Sequence, residues 1–571
     1  MFFSMTIVRH GMMLVGPTGG GKTKCYKTLA AAMTKLRESD AYEKVKTFVL
    51  NPKAITMGQM YGEFDLSTGE WTDGILSSQL RTFVTDQSAD KKWIIFDGPV
   101  DALWIENMNT VLDDNKKLCL VSGEIIKMSD EMTIMFEVED LEVASPATVS
   151  RCGMIFLEPE SLGTRTLVQS WLMYRLPAAA LKHSERLQEL FDDYLEQAIS
   201  FVRHNVIEPV PTVNTNLASS CMNILDCYLA AYNNPSEIED PISDERLARL
   251  EGTIEPLFYF ALVWSVGCTT DAAGRDAFDT WLRERMSAHN VAMPFPSDGE
   301  VYDYTLDDGA PEDEEGLCRD IAWQGWLQTL PPYSIPDKAR FEDMIVPTKD
   351  SICYTYLLGL LAQNRKMCMH TGVSGTGKTV NVQRYLRTSL NAQKQLPLTL
   401  TFSAQTSANM TQDILDGKMD KRRKGVFGPP AGKTYMCLVD DLNMPKREFY
   451  GAQPAIELLR QWIDHKGWFD RKTLTYMRID DLIWITCMGP PGGGRALVTD
   501  RYMRHFNIIG YTAQSNASMT LIFSTIINDF LGRFDSESVK VMGDSVVQVS
   551  ALLIYQSPAC STDLSIAGMF Y

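Results

Sequence analysis

Two octapeptides in this chain have the residue types and spacing for phosphate chemistry. Gly16-Pro17-Thr18-Gly19-Gly20-Gly21-Lys22-Thr23 and Gly372-Val373-Ser374-Gly375-Thr376-Gly377-Lys378-Thr379 both fit G-x-x-x-x-G-K-[ST] at every defined position. The glycines let backbone N–H groups curl around phosphate oxygens with no Cβ in the way. The lysine brings a positive charge to the terminal phosphates, and the threonine hydroxyl is a ligand for Mg²⁺. After each loop an apolar run ends in aspartate: Trp93-Ile94-Ile95-Phe96-Asp97, then Tyr435-Met436-Cys437-Leu438-Val439-Asp440. Asp97 and Asp440 are therefore expected to complete Mg²⁺ sites with Thr23 and Thr379. The cofactor expected in each pocket is ATP or ADP with Mg²⁺.

Hydrolysis asks for more than binding. A carboxylate must orient and deprotonate the attacking water, a contribution of about 10²–10⁴-fold, and it normally follows the strand aspartate. Gly98 occupies that place in the first site and Asp441 in the second. The first pocket is expected to hold nucleotide without useful turnover. The second, with a base one methylene shorter than glutamate, is left open to slow hydrolysis.

Elements of a definite kind must position these residues. Met12-Met13-Leu14-Val15 and Lys366 to His370 read as short buried strands leading into the loops, and Lys24 to Arg37 and Val380 to Leu390 as the helices leaving them. Continuous apolar strands belong inside a parallel sheet covered on both faces. An arginine then precedes a further apolar stretch in each half: Arg151 before Cys152-Gly153-Met154-Ile155-Phe156, and Arg504 before His505-Phe506-Asn507-Ile508-Ile509. Loop, acidic strand and arginine thus recur in order, the mark of a duplicated domain.

Between the repeats, Leu162 to Met286 reads as helical, and Ser184 to Val202 carries Leu187, Leu190, Phe191, Tyr194, Leu195 and Ile199 at helical spacing. Asp303 to Glu315 reads as an acidic surface connection, and Pro331-Pro332, Pro336 and Pro347 punctuate the approach to the second loop. The fold class is α/β, with tandem P-loop units. Residues 1–161 and 331–516 form the large subdomains, 162–330 a helical lid and linker, and 517–571 the start of a further lid whose end carries no readable pattern.

Composition limits the partners. Across 571 residues, 45% hydrophobic content supports full cores, and the net charge of −18 argues against a general nucleic-acid binder. No apolar run reaches the ~18 residues a membrane span needs, and Met1 to Gly11 lacks a basic leader. The 12 cysteines form no C-x-x-C pair and read as reduced thiols of a cytosolic chain.

With these motifs placed, the chain resembles the second and third modules of the six-module AAA+ ring of dynein heavy chains. The resemblance is carried by Asn51-Pro52-Lys53, Tyr61-Gly62-Glu63-Phe64-Asp65, Trp71-Thr72-Asp73-Gly74 and the run from Phe96 through Gly98-Pro99-Val100-Asp101 to Asn109. It continues through Ala144 to Gly153, Gly428 to Lys433, Asp440-Asp441-Leu442-Asn443-Met444-Pro445 and Met488 to Arg495. The double aspartate and the glycine-rich run look like axonemal dyneins, with an inner-arm type as the preferred subgroup.

The resemblance implies an ATP-driven, minus-end-directed microtubule motor of cilia and flagella. Its location is the cytoplasm, cytoskeleton and axoneme. Partners are neighbouring AAA+ modules and, through parts outside this sequence, intermediate and light chains and microtubules; neither nucleic acid nor membrane is implied.

By the same resemblance each nucleotide lies between modules, touched by an arginine finger from the next one. Arg504, with Arg501 as competitor, is expected to complete the pocket of Lys22, Thr23 and Asp97, and Arg151 to serve a preceding module. The γ-phosphate-sensing position falls near Glu139 and Gly489, neither of them the family's asparagine. The rival readings are another multi-module AAA+ remodelling ATPase, which Gly98 disfavours, and a scaffold that keeps nucleotide folds without hydrolysis.

Overall fold

Apolar runs without polar alternation have nowhere to go except between two helical layers, and both halves of the chain use them so. The computed structural model describes residues 1–39, 42–232, 244–309, 320–329, 333, 335, 344–534, 542–543 and 545–547. In the first unit, β1 (Gly11–Val15), β2 (Val45–Leu50), β3 (Lys91–Asp97), β4 (Met132–Val138) and β5 (Gly153–Phe156) form an all-parallel sheet in the order β2-β3-β4-β1-β5. Every residue of β1 and β4 is buried. Helix α1 (Lys22–Leu36) leaves the first loop, with Gly21 in the left-handed region as its N-cap.

The lid follows as α2 (Pro159–Tyr174), a helical stretch over residues 184–205, α3 (Asn214–Leu229), α4 (Asp244–Ser265) and α5 (Ala272–Ala288). The expected helix over 184–202 is present with one wide π turn at Phe191–Leu195. That turn adds a residue per revolution and lets Phe191, Tyr194 and Leu195 all point inward, with Leu187, Leu190 and Ile199.

The second unit repeats the first. After α6 (Lys349–Gln363) come β6 (Cys368–Thr371), α7 (Lys378–Thr388), β7 (Gln395–Thr401), β8 (Thr434–Asp440), α8 (Pro454–His465), β9 (Leu482–Met488), the short α9 (Asp500–Met503) and β10 (Asn507–Gly510). The sheet order is β7-β8-β9-β6-β10, identical in topology. In each sheet the strand feeding the glycine loop lies between two that come much later in the chain. A crevice therefore opens at the carboxyl ends of the strands. A final helix, α10 (Asn516–Gly532), occupies the expected helical region after Ala517. The acidic run Asp313-Glu314-Glu315, Pro331-Pro332, Pro336 and the patternless end Ala559 to Tyr571 lie outside the described residues.

Among the described residues no helix is long and apolar enough to cross a membrane, and the cysteines are free.

The lid belongs to the first half by sequence but packs on the second. One hydrophobic cluster runs from Trp171 and Phe258 through Phe278 to Leu438, Ile485 and Ile509. Polar contacts fix the register: Asn216 Nδ2 donates to Met503 O at 2.7 Å, Cys268 Sγ lies 3.2 Å from Ile508 O, and Arg275 Nη2 donates to Gly510 O at 2.5 Å. The approach is close enough that a Cβ on Gly510 would stand 2.3 Å from Cys268 O, a backbone atom that cannot swing aside. Gly510→Ala should therefore push the lid off this sheet edge and cost about 1–3 kcal/mol, measured as a lower urea midpoint.

Candidate nucleotide site between the two units

The glycine loops fold alike residue by residue. Gly16, Gly19 and Gly21 have φ of 145°, 93° and 82°, and Gly372, Gly375 and Gly377 have 149°, 83° and 81°. Side chains rarely adopt these angles, so the glycines are what allow both loops to close over a phosphate. Space tells the same story: a Cβ on Gly16 or Gly20 would lie 2.1 or 2.5 Å from Leu157 O. Pro17, Thr18, Val373, Ser374 and Thr376 fill the loop positions between the glycines, and Thr18 Oγ1 is buried without a partner.

Lys22 is nearly buried and turns back onto the loop, donating to Gly16 O and, at 2.9 Å, to Pro17 O. Lys378 does likewise, donating to Val373 O at 2.6 Å. Burial draws the Lys22 ammonium down from 10.5 to about 8, and the nearby Arg501 guanidinium works in the same direction against Glu137 and Glu139. An anion seated in the loop replaces those carbonyls and restores the charge. The loops, the helix N-termini behind them and the two lysines fit the phosphates of a nucleotide.

The carboxylates separate the two pockets. In the second, the structure brings the expected pair together: Thr379 Oγ1 donates to Asp440 Oδ1 at 2.9 Å. In the first, Asp97 has other company. Arg460 Nη1 lies 3.2 Å from both of its oxygens, Arg460 Nη2 donates to Asp97 O at 2.6 Å, and His465 Nε2 is 2.8 Å from Oδ2. Arg501 Nη2 also bonds Oδ1, and its Nη1 donates to Glu137 O at 2.9 Å.

All of these side chains sit on α8 and α9, on the second unit. Burial alone would push the Asp97 carboxyl up, but Arg460, Arg501 and His465 hold it well below the usual range. Glu137, opposite Asp97 in the β3–β4 register, is pushed up by burial and by the Asp97 charge.

Further pairs stitch the same seam. Asn51 Nδ2 donates to Glu457 Oε2 at 2.8 Å, Lys53 Nζ to Glu448 Oε2 at 2.8 Å, and the rings of Phe48 and Phe469 lie 5.3 Å apart. Arg504, expected as the finger, faces this seam, but its Nη2 donates to Asp464 Oδ1 at 2.9 Å. Of the two candidate fingers, Arg501 is the one in direct contact with the first unit's acids. Arg151, expected to serve a preceding module, pairs with Asp113 on its own unit.

Glu139 contributes a negative field at Lys22. Gly489 makes room for a residue that sequence reasoning missed, since a Cβ there would stand 2.9 Å from Arg495 Cδ. Arg495 reaches within 3.4 Å of Ser374 Oγ and 3.6 Å of Asp441 Oδ1, bringing a cation to the second loop from within the same unit.

Comparison with known proteins agrees with this duplicated architecture. The model described as "P-loop containing dynein motor region" matches residues 333–514, "Dynein heavy chain AAA lid domain" residues 187–314, and "AAA domain (dynein-related subfamily)" residues 11–152. Dynein axonemal heavy chain 1 of Mus musculus is 50% identical over 542 residues, covering 92% of this chain and 13% of that protein. The Homo sapiens protein of that name is 50% identical over 541 residues, covering 93% and 13%. Dynein axonemal heavy chain 12 of Rattus norvegicus is 42% identical over 574 residues, covering 97% and 18%. This chain belongs to the dynein heavy chain family. It spans less than a fifth of the length of those dyneins.

The dynein seam rests on a guanidinium with no exposed surface. Arg460 carries bonds to Asp97, to Glu457 at 2.8 Å and to Asp464 at 3.2 Å. Arg460→Ala leaves three buried carboxylates short of a cation and should cost about 3–5 kcal/mol, seen in thermal or urea unfolding. Arg460→Lys should recover little, because one ammonium cannot span Asp97 Oδ1, Oδ2 and O together.

The lysine gives a pH signature with a definite sign. Because the folded value of Lys22 is depressed, apo Lys22 loses its proton above about pH 8, while a bound polyphosphate keeps it charged. Binding at the first loop should take up a proton there, and affinity should fall by about tenfold per unit as pH rises past 8. Titration of a Lys378→Ala chain with a fluorescent ATP analogue from pH 7 to about pH 9.5 measures this.

Proposed function

We propose that the chain supplies two adjacent nucleotide-binding AAA+ modules of a dynein heavy chain. In this reading the first module holds ATP or ADP as a staple between units, and the second binds and slowly hydrolyses it. The observation that carries the reading is the position of the first glycine loop, which opens where Arg501 and Arg460 of the next unit meet Asp97 and Glu137. A nucleotide there is gripped by one module and faces cations of the other. Its presence thus changes the free energy of the contact between them.

The first site has no carboxylate directly after Asp97, and the packing there supports the reading that it holds nucleotide without useful turnover. A Cβ on Gly98 would stand 2.6 Å from Asn51 Oδ1 and 2.9 Å from Pro52 Cδ. In the second site Asp441, at φ 51° and partly exposed beside Arg495, is the candidate for orienting water. There Thr379 and Asp440 would hold Mg²⁺, which supplies charge neutralisation of the phosphates when bound. Arg504 and Arg501 act as cations in trans for the first pocket, and Arg151 as the corresponding cation for a preceding module. The proposed activity of the parent is ATP-driven movement on microtubules in cilia and flagella, a reading supported by the relatives' designation as axonemal dynein heavy chains.

Equilibrium titration with a fluorescent ATP analogue tests the reading. Saturable binding of about two equivalents per chain is expected, falling to one in Lys22→Ala or Lys378→Ala. Added ATP should raise the unfolding temperature of the Lys378→Ala chain but not of the Lys22→Ala, Lys378→Ala double variant. An absence of saturable binding by the unaltered chain would leave only the scaffold reading.

A further inference from the structure

The two pockets differ in which carboxylate the loop threonine meets. In the second it is Asp440, at the end of β8. In the first, Thr23 Oγ1 donates at 2.6 Å to Glu137 Oε1, on the neighbouring strand β4. The register places Asp97 and Glu137 side by side, whereas Val439 pairs with Thr486 in the second sheet, which leaves Cys487 beside Asp440. A second carboxylate at this level is peculiar to the first pocket.

Counting oxygens separates the two acids. Asp97 Oδ1 is met by Arg501 and Arg460, and Oδ2 by Arg460 and His465. Its acceptor capacity is filled from the next module. Glu137 Oε1 is met by Thr23 and by Arg501 Nη2 at 3.0 Å, but Glu137 Oε2 is buried with no partner at all. The residue is only 1% exposed. An orphaned carboxylate oxygen in that setting is costly unless a cation completes it.

Its place beside Thr23, the residue following the loop lysine, identifies the cation. A hard divalent ion at this point takes oxygen from hydroxyl, carboxylate and phosphate together.

We propose that in the first pocket Glu137, acting with Thr23, holds the divalent cation of a bound nucleotide, while Asp97 serves as the anchor for the next module. The inference rests on the nucleotide-binding reading of the first loop. It parts from the sequence expectation that Asp97 completes the Mg²⁺ site with Thr23. The pocket then keeps its metal and its grip on the neighbour on separate side chains, so loss of the ion does not release the seam.

The test uses the full chain carrying Lys378→Ala, so that only the first loop binds. Affinity for a fluorescent ATP analogue is measured in excess Mg²⁺ and in EDTA. The ratio of the two should fall about 10- to 100-fold in Glu137→Gln and survive in Asp97→Asn. Asp97→Asn should instead lower the unfolding temperature without nucleotide. Glu137→Asp keeps the charge but withdraws it by one methylene, and should also lose most of the Mg²⁺ effect; it serves if Glu137→Gln does not fold. A Mg²⁺ effect unchanged in both Glu137 variants, or abolished by Asp97→Asn alone, overturns the assignment. Failure of the Lys378→Ala chain to bind the analogue at all overturns the nucleotide reading beneath it.

Discussion

Asp97 is a carboxylate buried from solvent, and every side chain that bonds its oxygens comes from the neighbouring unit. That constraint organises the structure. A buried charge must be paired, and a buried guanidinium must likewise be surrounded by acceptors. Arg460 and Arg501 meet both demands only when α8 and α9 are docked against the ends of β3 and β4. Partial separation strands charges on both sides at once. The seam is therefore closer to all-or-none than an apolar contact of similar extent, which can part by degrees.

The lid turns this contact into a closed circuit around the first pocket. A Cβ on Gly19 would lie 2.9 Å from Thr215 Oγ1, so the N-terminal end of α3 packs directly on the glycine loop. The next residue, Asn216, donates to Met503 O, between Arg501 and Arg504. From loop to lid, from lid to α9, and from Arg501 back to Asp97, each link is a direct contact. A displacement of the loop by phosphate has two short routes to the second unit. Coupling of this kind needs no long pathway, only a shared wall.

Much of the architecture was legible because its signals are local. A glycine loop with its lysine specifies a turn, a helix start and a charge within eight residues, and the apolar strands ending at Asp97 and Asp440 specify a parallel sheet. What stayed hidden depends on which surface meets which. Glu457, Arg460 and Asp464 follow each other at helical spacing in α8, a pattern with no local sign of burial, and all three are buried or nearly so because the first unit presses on that face. Glu137 did carry a signal, a lone acid in the strand Met132–Val138 whose every residue is buried. Arg495 was masked by the glycine run before it, where the backbone rather than the side chain draws the eye. The choice between Arg501 and Arg504 could not be made from spacing, since both lie within one helical turn beside the seam.

The same seam accounts for the missing base. A carboxylate after Asp97 needs a Cβ where Asn51 Oδ1 and the Pro52 ring already stand. Asn51 is not free to yield. Its Oδ1 accepts from Lys53 N at 3.0 Å, while its Nδ2 reaches across to Glu457 O and Oε2. Lys53 in turn is paired with Asp101 and with Glu448 of the second unit. Installing a glutamate at position 98 thus breaks two intermodule bridges to gain one catalytic group. In the second unit the corresponding residue is Asp441, with the Arg495 guanidinium 3.6 Å from its Oδ1. Holding the neighbour and activating water compete for one small volume next to Asp97, and in the first unit that volume is occupied by the residues that hold the neighbour.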